Sequence, residues 1–126
     1  MNVLKMNKNI VAQKSIGFAI RIVNLYKFLC VEHKEYVLSK QILRSGTAVG
    51  AMIKEAEHAQ SKHDFLHKMS IGLKEANETN YWLLLLKEGG YLQANEYDSI
   101  KKNCEEILRL LASIVKTTKT NVKMKP

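Results

Sequence analysis

The sequence is poor in everything that breaks a helix. Its 126 residues include a single proline, Pro126, and only six glycines. A chain with so few turn residues can run long helices, but it cannot supply the many tight turns of an all-β fold. Cysteine is scarce too. Cys30 and Cys104 are too few for a disulfide framework, and each falls on the apolar stripe of a predicted helix, as a buried, reduced thiol does. Long apolar runs are missing. The longest, Tyr81 to Leu86, covers six residues, against the roughly 20 of a membrane-crossing helix. The only early apolar run is Ile10-Val11-Ala12, too short for a secretory signal. The expectation is a cytoplasmic protein without a membrane association.

What the chain does have is helical periodicity. Apolar residues make up 46% of it, enough for the core of one domain. In four segments they return every three to four positions, the mark of an amphipathic helix. The first runs from about residue 11 to 31, with Phe18, Ile22, Leu25 and Leu29 in one row. Ile16, Ala19, Val23, Tyr26 and Cys30 lie beside that row, leaving Arg21, Asn24 and Lys27 as a narrow polar strip. The second covers about 37–59, with Leu38, Ile42, Val49, Met52, Ala56 and Ala59 inward. The third covers about 62–88, opened by a capping-box variant, Ser61 with Asp64, and stopped by Gly89-Gly90. The fourth begins after Asn95 and is the cleanest: Tyr97, Ile100, Cys104, Ile107, Leu108, Leu111, Ile114 and Val115. Links of about five, two or three, and seven residues force consecutive helices to run antiparallel. The predicted fold is therefore all-α, an antiparallel up-down-up-down four-helix bundle in one domain over 1–126. Basic tails are expected at about 1–14 and 116–126.

Two features exceed the needs of a lone bundle. Tyr81-Trp82-Leu83-Leu84-Leu85-Leu86 is apolar all round the helix, so a monomer exposes part of it, and such patches mark interfaces. The run Ser45-Gly46-Thr47-Ala48-Val49-Gly50-Ala51 is small throughout. A glycine inside a helix costs about 1 kcal/mol relative to alanine, which a close helix approach offsets. That approach is either within the bundle or between subunits. Gly46, Gly50, Tyr81, Trp82 and Leu85 are the candidate oligomer interface.

The stretch Glu35 to Leu92 also carries a resemblance. Leu43, Arg44, Ser45, Gly46, Gly50, Ala51, Glu55 and Ala56 form its first cluster. Asp64, Phe65, Lys68, Ser70, Leu73, Lys74, Glu75, Glu78, Thr79, Tyr81 and Trp82 form its second. The pattern resembles the bacterial 23S rRNA intervening-sequence protein family, the "four helix bundle proteins". The resemblance implies a ring-forming bundle, typically a pentamer, from a family with no established enzymatic activity. It also implies similarity to the accessory protein of diversity-generating retroelements, which supports a reverse transcriptase and contacts nucleic acid. The chain departs from the family at Met52, Lys54 and Gly72, where the family usually shows Asn, Glu and Ala.

Catalytic and metal motifs are weak. His63 and His67 flank Asp64-Phe65-Leu66 in imitation of a zinc-protease signature, but the longer Glu base and a third ligand are missing. Glu75 and Glu78, with Lys74 beside them, read as an ion network. No enzyme, cofactor or metal is expected.

Charge remains. Lys5, Lys8 and Lys14 in residues 1–14, and Lys116, Lys119, Lys123 and Lys125 in residues 116–126, are unaccompanied by any acid, and supply seven of the eight net positive charges. In an up-down-up-down bundle both segments share one end with Lys62, while Glu32, Glu35, Glu88, Glu96 and Asp98 gather at the other. These eight lysines are either solubilising tails or a phosphate-binding rim, with a membrane-surface role a minor third reading. The leading expectation is a non-enzymatic homo-oligomer that binds RNA or DNA without reading sequence. Most aromatics fall on core or interface positions, so base stacking is expected to add little. The runner-up is a protein–protein adaptor, for example a reverse-transcriptase accessory subunit.

Overall fold

In a computed structural model describing residues 2–123, the chain forms α1 (Val3–Glu32), α2 (Leu38–Glu57), α3 (Lys62–Glu88) and α4 (Ala94–Lys123). The links are five, four and five residues long. Each helix packs against two others, in the cyclic order α1, α2, α3, α4, and diagonal backbones do not meet among the described residues. Cross-helix partners fix the directions. Arg44 pairs with Glu78 while Glu55 pairs with Lys68, so α2 and α3 are antiparallel. Gly46 lies against Ile22 and Gly50 against Ser15, which sets α1 against α2 the same way. Arg21 bonds Ser99 while Lys14 bonds Glu106, which does so for α1 and α4.

Both outer helices are longer than periodicity alone predicts. Asn2 caps α1, its side-chain oxygen accepting from the Lys5 amide at 2.8 Å. At the other terminus Thr118 takes a core position and donates to the Ile114 carbonyl at 2.7 Å, a polar residue where an apolar marker was sought. Residues 3–14 and 116–123, expected as tails, are therefore helical turns; residues 124–126 lie outside the described residues.

The caps of the inner helices follow local chemistry. Ser61 accepts from the Asp64 amide at 3.0 Å, and the Asp64 carboxylate accepts from the Gln60 amide at 3.2 Å, one residue earlier than in a standard capping box. Gly90, at φ +86°, turns the chain out of α3. The residue before α2, Val37, offers no side-chain cap. Glu35 replaces it: its buried carboxylate accepts from the amides of Val37, Leu38 and Ser39 at 2.9–3.0 Å. In the sequence Glu35 is one of the acids expected to gather at this end of the bundle. It is instead spent on the orphan amides of a helix start.

The core runs the length of the bundle through Val11, Ile22, Leu29, Ile42, Val49, Leu83, Leu86, Cys104, Leu111 and Ile114, all without exposed surface. Burying each large aliphatic side chain contributes about 1.5–3 kcal/mol. Among the inward positions expected of α2, Leu38, Met52 and Ala59 are only half-buried, and Ser39, Ser45 and Ile53 are buried instead. The Ser45 hydroxyl is satisfied by that of Thr79, 2.9 Å away. Ile16, read as flanking the core, is 63% exposed.

Candidate nucleic-acid interface

The first turns of α1 and α3 and the last turns of α2 and α4 meet at one end of the bundle. This end carries Lys5 and Lys8 on α1, Lys62 at the start of α3, and Lys116, Lys119 and Lys123 on α4. The last three recur at helical spacing and are all exposed, as are Lys5 and Lys62. Lys8 is half-buried, its Nζ 4.3 Å from the centroid of the Phe65 ring. Rigid helices hold these charges in place, which lowers the ordering cost of binding relative to flexible tails. Lys125 lies outside the described residues.

Lys14 is placed elsewhere. It sits on the seam between α1 and α4, 2.8 Å from Glu106, whose carboxyl it holds below the usual glutamate range. It is thereby engaged within its own chain, away from the lysine-rich end. Arg21 is likewise engaged on that seam, by Asn103 and Ser99. Arg44 is taken up by Glu75 at 3.0 Å and Glu78 at 2.6 Å. Glu78 also accepts from the Trp82 indole at 3.1 Å, and its carboxyl is held low by these two donors, Arg44 first. Glu75 and Glu78 thus form an ion network, but its cation is Arg44 of α2 rather than the adjacent Lys74, and it staples α2 to α3.

Between its helix ends the lysine-rich end opens into a cavity of about 670 Å³. Ile53, Met69 and Phe65 line it, with Lys5, Lys8, Glu57, Gln60, Lys62 and Asn121. Sequence reasoning used Phe65 only as a family marker. Its place one turn into α3, at the lysine-rich end, was the available signal.

The candidate interface residues separate. Gly46 is buried beneath Ile22 of its own chain, so it belongs to the bundle interior rather than to a subunit contact. Gly50 faces Ser15 across α1 and α2, on the edge of a groove of about 560 Å³. Ile16, Ile20 and Val23 line that groove with Thr47 and Ala51. On a different face, Tyr81 is 54% and Leu84 41% exposed, flanked by half-buried Trp82 and Leu85.

His63 and His67 are exposed on α3. Among the described residues, no three His, Cys, Asp or Glu side chains could together hold a metal ion, and no described helix is long and apolar enough to cross a membrane.

An antiparallel four-helix bundle, charged at one end and ion-paired along its α2–α3 hairpin, defines the structural class. The chain belongs to the 23S rRNA-intervening sequence protein family, whose profile matches residues 7–113. It is 58% identical to a protein of unknown function from the S23 ribosomal protein family of Bacteroides thetaiotaomicron, known from a crystal structure. The two superpose with a TM-score of 0.86 over 87% of this chain and 98% of that one. A comparison with curated proteins finds no match.

Proposed function

We propose that the protein is a non-enzymatic, homo-oligomeric scaffold that binds RNA or DNA through its lysine-rich end. The observation that carries this reading is the convergence of Lys5, Lys8, Lys62, Lys116, Lys119 and Lys123 on ordered helix at one end. Contacts of this kind neutralise phosphates and release counterions, so they position a nucleic acid without reading its sequence. Assembly multiplies the array. Two apolar surfaces on different faces, the Ile16–Ile20 groove and the Tyr81–Leu84 patch, suit a head-to-tail contact, which closes into a ring when the rotation allows. A pentamer is the ring that the family resemblance favours.

The test is a gel-shift series in rising salt, comparing the full chain with one in which Lys5, Lys8, Lys62, Lys116, Lys119, Lys123 and Lys125 are glutamine. The wild-type affinity should fall with a log–log slope near −0.9 per phosphate neutralised on duplex DNA, and the variant should bind weakly with a shallow slope. Equal binding by both chains overturns the assignment of the end. Absence of binding by the wild type at low salt overturns the nucleic-acid reading and favours the protein–protein adaptor, whose partner then docks on the apolar surfaces.

A further inference from the structure

The lysine-rich end is not a flat plate of charge. Its cavity of about 670 Å³ combines three chemistries that phosphate binding alone does not require. Part of the lining is apolar, Ile53 and Met69 with the aromatic Phe65. One face of this ring is open enough for the Lys8 ammonium to rest 4.3 Å from its centroid. Lys5 and Lys62 line the cavity as well, with Gln60 and Asn121, and Glu57 is the one carboxylate among the lining residues. Each alternative ligand leaves part of this lining unused. An inorganic phosphate needs the lysines and not the ring. A lipid or other apolar ligand needs the apolar lining and not Gln60 or Asn121. A duplex keeps its bases stacked within the helix and cannot reach the ring. An unpaired nucleotide uses all three groups, because it joins a planar base with a hydrogen-bonding edge to a phosphate.

We propose that this cavity receives an unpaired base of a single strand or strand end, stacked on Phe65, with its phosphate held by Lys5 and Lys8. Lys8 leaves the ring face as the base arrives, and its flexible four-carbon stem carries the ammonium to the phosphate. A strand suits the site better than a free nucleotide, because Lys116, Lys119 and Lys123 continue the positive charge at this end for the flanking phosphates. The inference rests on the nucleic-acid reading and deepens it, since a charge contact is indifferent to strandedness and a base pocket is not. It also departs from the sequence expectation about stacking: Phe65 lines the cavity beside the lysines as well as packing against the core.

The experiment is fluorescence anisotropy with a labelled single-stranded oligonucleotide and a blunt duplex of equal length, using the full chain. Phe65→Leu keeps an apolar wall and removes the ring face. It should weaken single-strand binding about tenfold and leave duplex binding unchanged. An oligonucleotide with abasic sites should show the same loss against the wild-type chain, which excludes misfolding as the cause. Adenosine monophosphate at matched nucleotide concentration should leave the complex intact; displacement by it would overturn the assignment to a strand. If Phe65→Leu and the abasic strand match their parents while the wild type binds both nucleic acids, the base pocket fails and the charge reading survives. If the wild type binds neither at low salt, both fail.

Discussion

Ile22 lies directly over Gly46. A Cβ added to that glycine would sit 2.8 Å from both Cγ1 and Cγ2 of Ile22, whose side chain has no exposed surface into which to retreat. The contact brings α1 and α2 together at mid-length and accounts for a glycine inside a helix.

The first prediction follows from that contact. Gly46→Ala gains about 1 kcal/mol of helix propensity and incurs about 1–3 kcal/mol of overpacking, so the melting temperature should fall. Gly17 is the control. Nothing lies within 4 Å of its Cβ position, and Gly17→Ala should stabilise by about 0.5–1 kcal/mol. Thermal unfolding followed by circular dichroism compares the two, and equal shifts would refute the close α1–α2 packing.

The second prediction concerns thiol reactivity. Burial pushes the Cys104 thiol up to about 12, and its Sγ donates to the Ala76 carbonyl at 3.5 Å. Cys30 is only half-buried. Iodoacetamide at mildly alkaline pH should alkylate Cys30 first and Cys104 only after denaturation, because the thiolate is the reacting species. Peptide mass spectrometry reads the order, and native labelling of Cys104 would contradict its placement.

The third prediction is a pH dependence. Glu78 is depressed by Arg44 and Trp82, and Glu106 by Lys14. A depressed carboxyl binds fewer protons folded than unfolded, so it stabilises above its unfolded value and that contribution is lost as pH falls through the folded one. Stability should therefore drop between about pH 5 and pH 3. In Glu78→Gln the drop should be shallower, by a small amount, because the pair lies near the surface. Melting curves across this range decide it; an unchanged slope would remove Glu78 from the network.

The fourth prediction tests assembly. Light scattering of the wild type should give a multiple of the 14.4 kDa chain mass. Tyr81→Ser with Leu84→Ser, or Ile16→Glu with Ile20→Glu, should each return the mass toward one chain with helicity intact. Mixing the two variants leaves one intact surface on each partner, so a head-to-tail contact yields a heterodimer. If both variants keep the wild-type mass, these surfaces are not the interface.

Much of this molecule was legible in its sequence, for identifiable reasons. Period and short links suffice to specify an antiparallel bundle. The α4 stripe from Tyr97 to Val115 faces the core, with Leu108 at its half-buried edge. Harder to read were residues whose role depends on a partner distant in sequence. Lys14 looks like one more basic residue until Glu106 on α4 arrives beside it. Glu35 is a different case: its partners are the amides of Val37, Leu38 and Ser39 just after it, and it caps a helix whose N-cap residue, Val37, has no capping side chain. The first segment concealed a different problem. It is apolar nearly all round, so periodicity picks out Ile22 for the core row but also sets Ile16 beside it, and only Ile22 is buried.

The seam between α1 and α4 has a bearing on how the molecule opens. The α2–α3 hairpin is closed by a four-residue link and stapled by Arg44, Glu75, Glu78 and the Glu55–Lys68 pair. The seam joins residues 78 to 92 positions apart, through surface contacts such as Lys14–Glu106 and Arg21–Ser99. Closing so long a loop carries a larger entropic cost than closing a hairpin, and surface polar contacts return little against it. The hairpin should therefore form early and exchange its amide hydrogens last, with α1 and α4 the first to part along their shared edge. The bundle behaves as a closed hairpin with a two-leaf door, and the Lys14–Glu106 pair is one of its latches.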